Sequence, residues 1–137
     1  MSWLAYALVT VALWTGWIFL GKLALDRATP VQATIVFGVA CVAAGVVAML
    51  AGQRAASWGP GALWLTAVSA ACGGAGLVTF YLALDKGQAS LVAPVIGLYP
   101  ALVALLSVAL LSERLTALQV VGILLAVTGV VLVGAGG

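Results

Sequence analysis

Along this chain apolar positions run in long stretches that are interrupted only by isolated charges. Lys22, Asp26, Arg27, Arg54, Asp85, Lys86, Glu113 and Arg114 leave five charge-free windows, 1–21, 28–53, 55–84, 87–112 and 115–137, of 21, 26, 30, 26 and 23 residues. A hydrocarbon core about 30 Å thick takes roughly 20 residues of helix, so each window can cross once and none twice. A β-barrel would instead need alternating apolar and polar residues in segments of about ten, and the run from Val120 to Val127 does not alternate. The pattern therefore predicts an all-α integral membrane protein with five transmembrane helices, over 2–24, 31–52, 60–84, 90–111 and 116–134.

The window edges carry helix-end chemistry. Thr29-Pro30-Val31-Gln32 offers a capping hydroxyl, a proline at the first helical position and a glutamine three residues after the cap, so orphan amides find partners. Thr116 and Gln119 repeat that box, and Gly59-Pro60, after the turn-like 55–58, marks the third start. Trp3, Trp58 and Trp64 fall near edges, as an aromatic belt requires. In the fourth window Pro94 and Pro100 flank Gly97. Each proline removes an amide donor and crowds the carbonyl four residues earlier, which predicts a kinked span with carbonyls short of partners. Ser69, Gly73 and Gly76 on the third helix, and Gly122, Ala126 and Gly129 on the fifth, form small-residue stripes that read as packing seams.

Composition narrows the chemistry. Of 137 residues 66% are hydrophobic, five are basic, three acidic and none is histidine, whereas a soluble domain is about a quarter charged. The loops are too short for a soluble catalytic domain. Cys41 and Cys72, the two cysteines, sit inside apolar windows and read as small buried thiols, supporting neither a disulfide framework nor a metal site. The first window lacks the basic leader of a signal peptide and reads as a retained helix. Hydroxyls without a base and no carboxylate within any window leave no catalytic constellation. The expectation is a non-enzyme with no cofactor and no nucleic-acid partner.

Polar groups able to meet a solute align on the first helix. Trp3, Tyr6, Thr10, Trp14, Trp17 and Gly21 are spaced by three or four residues and so share a face, and aromatic faces suit apolar or cationic organic solutes. The alternative for these rings is packing against other helices. Tyr81, Ser90 and Tyr99 add candidates on the third and fourth helices. Lys22, at the end of the stripe, can snorkel to headgroups or attract an anion, and spacing does not choose between these. The remaining charges read as interfacial, since a charge at mid-bilayer costs several kcal/mol.

Five crossings place Arg54 and Arg114 on one side and Lys22, Arg27 and Lys86 on the other. So small a basic excess fixes orientation poorly, which predicts insertion both ways round. One copy of each orientation gives a two-fold axis in the membrane plane, the arrangement of inverted repeats in many transporters. The chain is read as one domain, 1–137, that is half of such a transporter and partners an inverted second copy of itself or a paired five-helix chain.

The run Phe80-Tyr81-Leu82-Ala83-Leu84, then Gly87-Gln88-Ala89-Ser90-Leu91-Val92-Ala93-Pro94, Leu98-Tyr99-Pro100, Ala104-Leu105-Leu106-Ser107, Glu113-Arg114-Leu115-Thr116 and Gln119 through Gly122 to Gly129-Val130 resembles the EamA repeat of the drug/metabolite transporter superfamily. The likeness covers nearly the whole chain and is densest over 80–130. Familiar members resemble two such repeats fused in opposite orientations around a central cavity, and export amino acids and other metabolites. The resemblance implies a solute path lined by Thr10, Trp14 and Trp17 on the first helix and by Tyr81, Ser90, Pro94 and Tyr99. Here a single repeat is present, and Thr34-Ile35-Val36-Phe37-Gly38 lacks the basic residue often found early in the second helix. Small multidrug-resistance exporters are similar in length but carry a first-helix glutamate, absent here.

The expected function is a secondary transporter, an exporter of small organic metabolites by alternating access as an antiparallel homodimer, in a bacterial or archaeal cytoplasmic membrane. Other readings are a non-catalytic accessory subunit, half of a heterodimeric transporter, or a lipid-carrier flippase. A compartment-sensitive reporter fused to the C-terminus is expected to signal from both sides of the membrane; signal from one side alone would remove dual insertion.

Overall fold

The computed structural model describes residues 3–52, 59 and 61–135, and within them all regular secondary structure is helical. The elements are α1 (Trp3–Leu25), α2 (Pro30–Leu50), α3 (Ala62–Lys86), α4 (Ala89–Ile96), α5 (Tyr99–Leu111) and α6 (Ala117–Ala135). Taken with α4 and α5 as one span, Ala89–Leu111, five helices are long and apolar enough to cross a membrane. The expected all-α membrane fold is thus present, with most boundaries within a residue or two of those read from the windows.

Both capping boxes form. The Thr29 hydroxyl accepts from the Gln32 amide at 3.3 Å while Gln32 Oε1 accepts from the Thr29 N–H at 2.9 Å. At α6 the same pair of bonds joins Thr116 and Gln119, at 3.3 and 2.8 Å. α2 stops at a glycine: Gly52 takes φ +86°, a left-handed setting that costs it nothing, and donates to Met49 O at 3.1 Å. Ser112 ends α5 in the same region, φ 56°, without that freedom. The third start shifts from the expected 60 to Ala62, because Gly61 has φ +76°, which no right-handed turn can include. Pro60 and the 55–58 turn, with Arg54 and Trp58, lie outside the described residues.

The fourth span breaks where its sequence predicts. Gly97 still donates to Ala93 O at 2.9 Å, but the Leu98 amide turns to Val95 O at 3.2 Å, one residue short of the α-helical partner. Pro94 O therefore loses its usual donor. Ser90 O and Ile96 O lose theirs covalently, since Pro94 and Pro100 have no N–H. Chain contacts divide the molecule into two compact units, Met1–Lys86 with α1 to α3 and Gly87–Gly137 with α4 to α6. In the first, α2 packs on α3 and α1 on both; in the second, α4 packs on α6, where Val95 reaches within 3.9 Å of where a Gly134 Cβ would be.

Only Phe80, Tyr81 and Leu84 are buried among the described residues, while dozens of large apolar side chains are exposed. In water that surface would oppose folding; in lipid it is the solvent-matched exterior, and helices associate through packing and hydrogen bonds instead. Two expectations change accordingly. Cys41 and Cys72 are both exposed, not buried between helices. The stripes do not act as seams within the chain, for a Cβ added at Gly73, Gly76, Gly122 or Gly129 would meet nothing within 4 Å.

Unfolding in mixed micelles by graded SDS should separate the two kinds of helix end. Thr29→Ala is expected to lower stability by about 1 kcal/mol through the lost cap. Ser112→Gly is expected to raise it by about 1 kcal/mol by relieving the left-handed residue.

Candidate functional site

The side chains with chemical capability in the first unit converge on Trp17. Its indole N–H donates to the Tyr81 hydroxyl at 2.8 Å. Phe37 of α2 and Phe80 of α3 lie with ring centroids 4.8 Å away, tilted 36° and 30°. Trp14 and Tyr81 approach edge-on at 6.3 and 6.1 Å, within the range in which such pairs contribute about 0.5–1.5 kcal/mol beyond area. One residue of α1 thus touches both neighbouring helices, and the bond to Tyr81 satisfies a polar group that could not be left bare in hydrocarbon.

A turn further along α1, Gly21 lies beside α3: a Cβ there would sit 3.5 Å from Tyr81 and 3.8 Å from Leu84, ordinary contact distances that an alanine would make as well. Lys22 follows, and its ammonium donates to Leu84 O at 2.7 Å. That carbonyl belongs to the last turn of α3, whose terminal carbonyls lack amide partners and carry the negative end of the helix dipole. Beside the two roles that spacing left open the structure shows a third: the Lys22 ammonium caps a helix contributed by another part of the chain.

Between α1 and α2 lies an open cleft of about 340 Å³ whose wall includes Trp17, Gly21, Ala28, Gln32, Phe37 and Tyr81. Alanines and Val36 supply the rest of the wall, so its surface is almost wholly apolar. Its size lies at the lower end of small-molecule sites. Cleft and aromatic cluster belong wholly to the first unit.

Of the residues singled out in the sequence, Trp14, Trp17 and Tyr81 are brought together. Thr10 is exposed and donates to the Tyr6 carbonyl at 2.9 Å, the back-bond of a hydroxyl within a helix. Ser90, Pro94 and Tyr99 belong to the second unit; Ser90 and Tyr99 are exposed and Pro94 is half-buried. Phe37 was not anticipated as part of the cluster. Its only signal was being the one aromatic ring in an otherwise aliphatic and small-residue helix. Among the described residues no group of three His, Cys, Asp or Glu side chains is placed to hold a metal ion.

The bond between Trp17 and Tyr81 can be weighed by a double-mutant cycle in mixed micelles. Trp17→Phe and Tyr81→Phe are each expected to cost about 1 kcal/mol. Together they should cost less than the sum, because either change already removes the bond; strict additivity would show that it contributes nothing.

Comparison with known proteins follows the same lines. An uncharacterized protein of Methanocaldococcus jannaschii is 42% identical over 57 residues, which is 42% of each chain, so the match spans less than half of that relative. No solved structure matches the chain. The profile of the EamA-like transporter family matches residues 1–135, and with five spans of the required length the chain is a multi-pass membrane protein that belongs to the EamA-like transporter family.

Proposed function

We propose that the protein is a secondary transporter, exporting small organic metabolites by alternating access, and that its working unit is an antiparallel pair of copies. The observation that carries this reading is the family match over essentially the whole chain. Membership in a transporter family also fits the absence of any catalytic grouping from the sequence reading. Pairing is supported by the small-residue faces of α3 and α6, whose glycines have open space above them. Such faces let a second membrane protein's backbone come close. Five spans are few to enclose a solute, whereas ten arranged as an inverted pair form a cavity of the kind transporters use.

In this reading the path is lined by Thr10, Trp14, Trp17 and Tyr81 from the first unit and by Ser90, Pro94 and Tyr99 from the second. Interrupted membrane helices commonly sit at such paths, where carbonyls released from helical bonding meet solute or water. The break at Gly97 and Leu98 is a feature of that type. The weak bias of basic residues supports insertion of both orientations, and the setting is the cytoplasmic membrane of a bacterium or archaeon.

The test is reconstitution of the purified chain alone into vesicles, followed by flux of labelled amino acids, amines and carboxylates. Saturable uptake or release of at least one class, with roughly tenfold loss on Trp14→Ala in a variant that still pairs, is expected. Folded protein that carries none of them, yet regains flux when a second five-helix chain is added, would replace the homodimer by a heterodimer. No flux under either condition would leave an accessory role.

A further inference from the structure

Hydroxyls deep in a span can close onto their own helix. Thr10 and Thr15 of α1 donate to the carbonyls four residues back at 2.9 and 2.8 Å, and Thr128 of α6 does the same at 2.8 Å. An indole has no such outlet, being a rigid group that donates and cannot accept. Two indoles lie deep in α1. The Trp17 N–H is taken up by the Tyr81 hydroxyl at 2.8 Å, whereas the Trp14 N–H has no acceptor among the described residues. Trp14 is the central residue of α1, Trp3–Leu25. With about 16 Å of helix on either side, its side chain reaches neither the headgroups nor the water beyond them. The residue is 49% exposed, and its ring contact among the described residues is an edge-on approach to Trp17 at 6.3 Å. Trp17 is itself held by Phe37, Phe80 and Tyr81, so Trp14 leans on a fixed support with about half of its surface uncovered.

We infer that the Trp14 N–H faces the wet solute path and determines specificity there, selecting solutes that offer it an oxygen acceptor, a carbonyl or a carboxylate. The inference deepens the transporter reading and rests on it for calling the acceptor's owner a substrate. Turned to acyl chains, the N–H would lose its water with nothing in exchange. An aromatic belt does not account for this residue, because belt indoles sit at headgroup level. The ring face alone would take an apolar or cationic group; the N–H adds a demand for oxygen that a simple amine does not meet. A solute without an acceptor would leave that donor desolvated and unpaired, and unpaired donors are the strong discriminators in a binding site.

The test uses the full chain, isotopically labelled at its indole nitrogens and reconstituted in lipid nanodiscs, with the Trp14 and Trp17 signals identified from Trp14→Phe and Trp17→Phe. The Trp14 N–H is expected to exchange with heavy water and to broaden with a water-soluble gadolinium chelate, while the Trp17 N–H, tied to Tyr81, exchanges roughly tenfold more slowly or less. Phenylacetate, which brings a carboxylate, is expected to move the Trp14 signal downfield to saturation, and phenethylamine, a donor alone at neutral pH, to leave it in place. Trp14→Phe should weaken phenylacetate binding roughly tenfold, the size of one hydrogen bond to a charged group, with the other indole signals unmoved as the sign of an intact fold. Broadening of the Trp14 signal by a stearate carrying a nitroxide near its methyl end, and not by gadolinium, would place the N–H in lipid and overturn the inference. Protection from both agents would mean an acceptor supplied by a second copy and would overturn it too, as would equal shifts with the two probes. These spectra are read without flux: the expected signals in a protein that moves no solute count against transport alone, whereas flux through a protein whose Trp14 faces lipid counts against this inference alone.

Discussion

A chain that exposes nearly all of its large apolar side chains to lipid cannot use burial of oil from water to bring its helices together. What remains is contact made by a few well-placed groups, and in the first unit those groups meet at Trp17. Its N–H is tied to Tyr81 and its ring lies against Phe37 and Phe80, so α1, α2 and α3 share one anchoring side chain. The three buried residues of the described chain, Phe80, Tyr81 and Leu84, all lie on α3 next to this point. A polar bond in lipid contributes modestly, about 1 kcal/mol, but it has direction, and direction fixes which faces of the helices meet.

The same economy governs the membrane edge. Lys22 reaches the α3 carbonyl of Leu84, while Gly21 beside it faces the Tyr81 and Leu84 side chains of the same helix. A basic side chain on one helix thereby completes the end of another. The turn into α2 then begins with the Thr29–Gln32 box, so the end of α1 and the start of α2 are both held by hydrogen bonds. The cleft is lined in part by this same stretch, through Gly21, Ala28 and Gln32.

How much of this was legible in the sequence differs by feature, for physical reasons. Charge spacing gave the five spans because a single charge is expensive in hydrocarbon, and the capping boxes and the Pro94–Gly97–Pro100 break are local signals that need no tertiary information. The aromatic stripe put Trp14 and Trp17 on one face, and Tyr81 was a candidate on the third helix as a polar aromatic residue, a position that the family likeness also covers. What spacing could not show was the pairing: Trp17 and Tyr81 are 64 positions apart, and Phe37 looks like any other apolar residue of α2. Lys22 was ambiguous for a related reason, since its partner is a backbone carbonyl, which every residue has. The cysteines and glycine stripes were read as interior because small residues usually are, but a single chain leaves those faces uncovered.

The break in the fourth span carries a constraint on how that span can be set in the bilayer. The carbonyls of Ser90, Pro94 and Ile96 lack their helical donors, and a bare carbonyl turned toward acyl chains costs several kcal/mol. Rotation of α4 and α5 about their own axis is therefore not free: the elbow has to look toward protein or water. The two prolines thus act as a compass for the span, assigning it a wet side and a greasy side although its side chains are almost uniformly apolar.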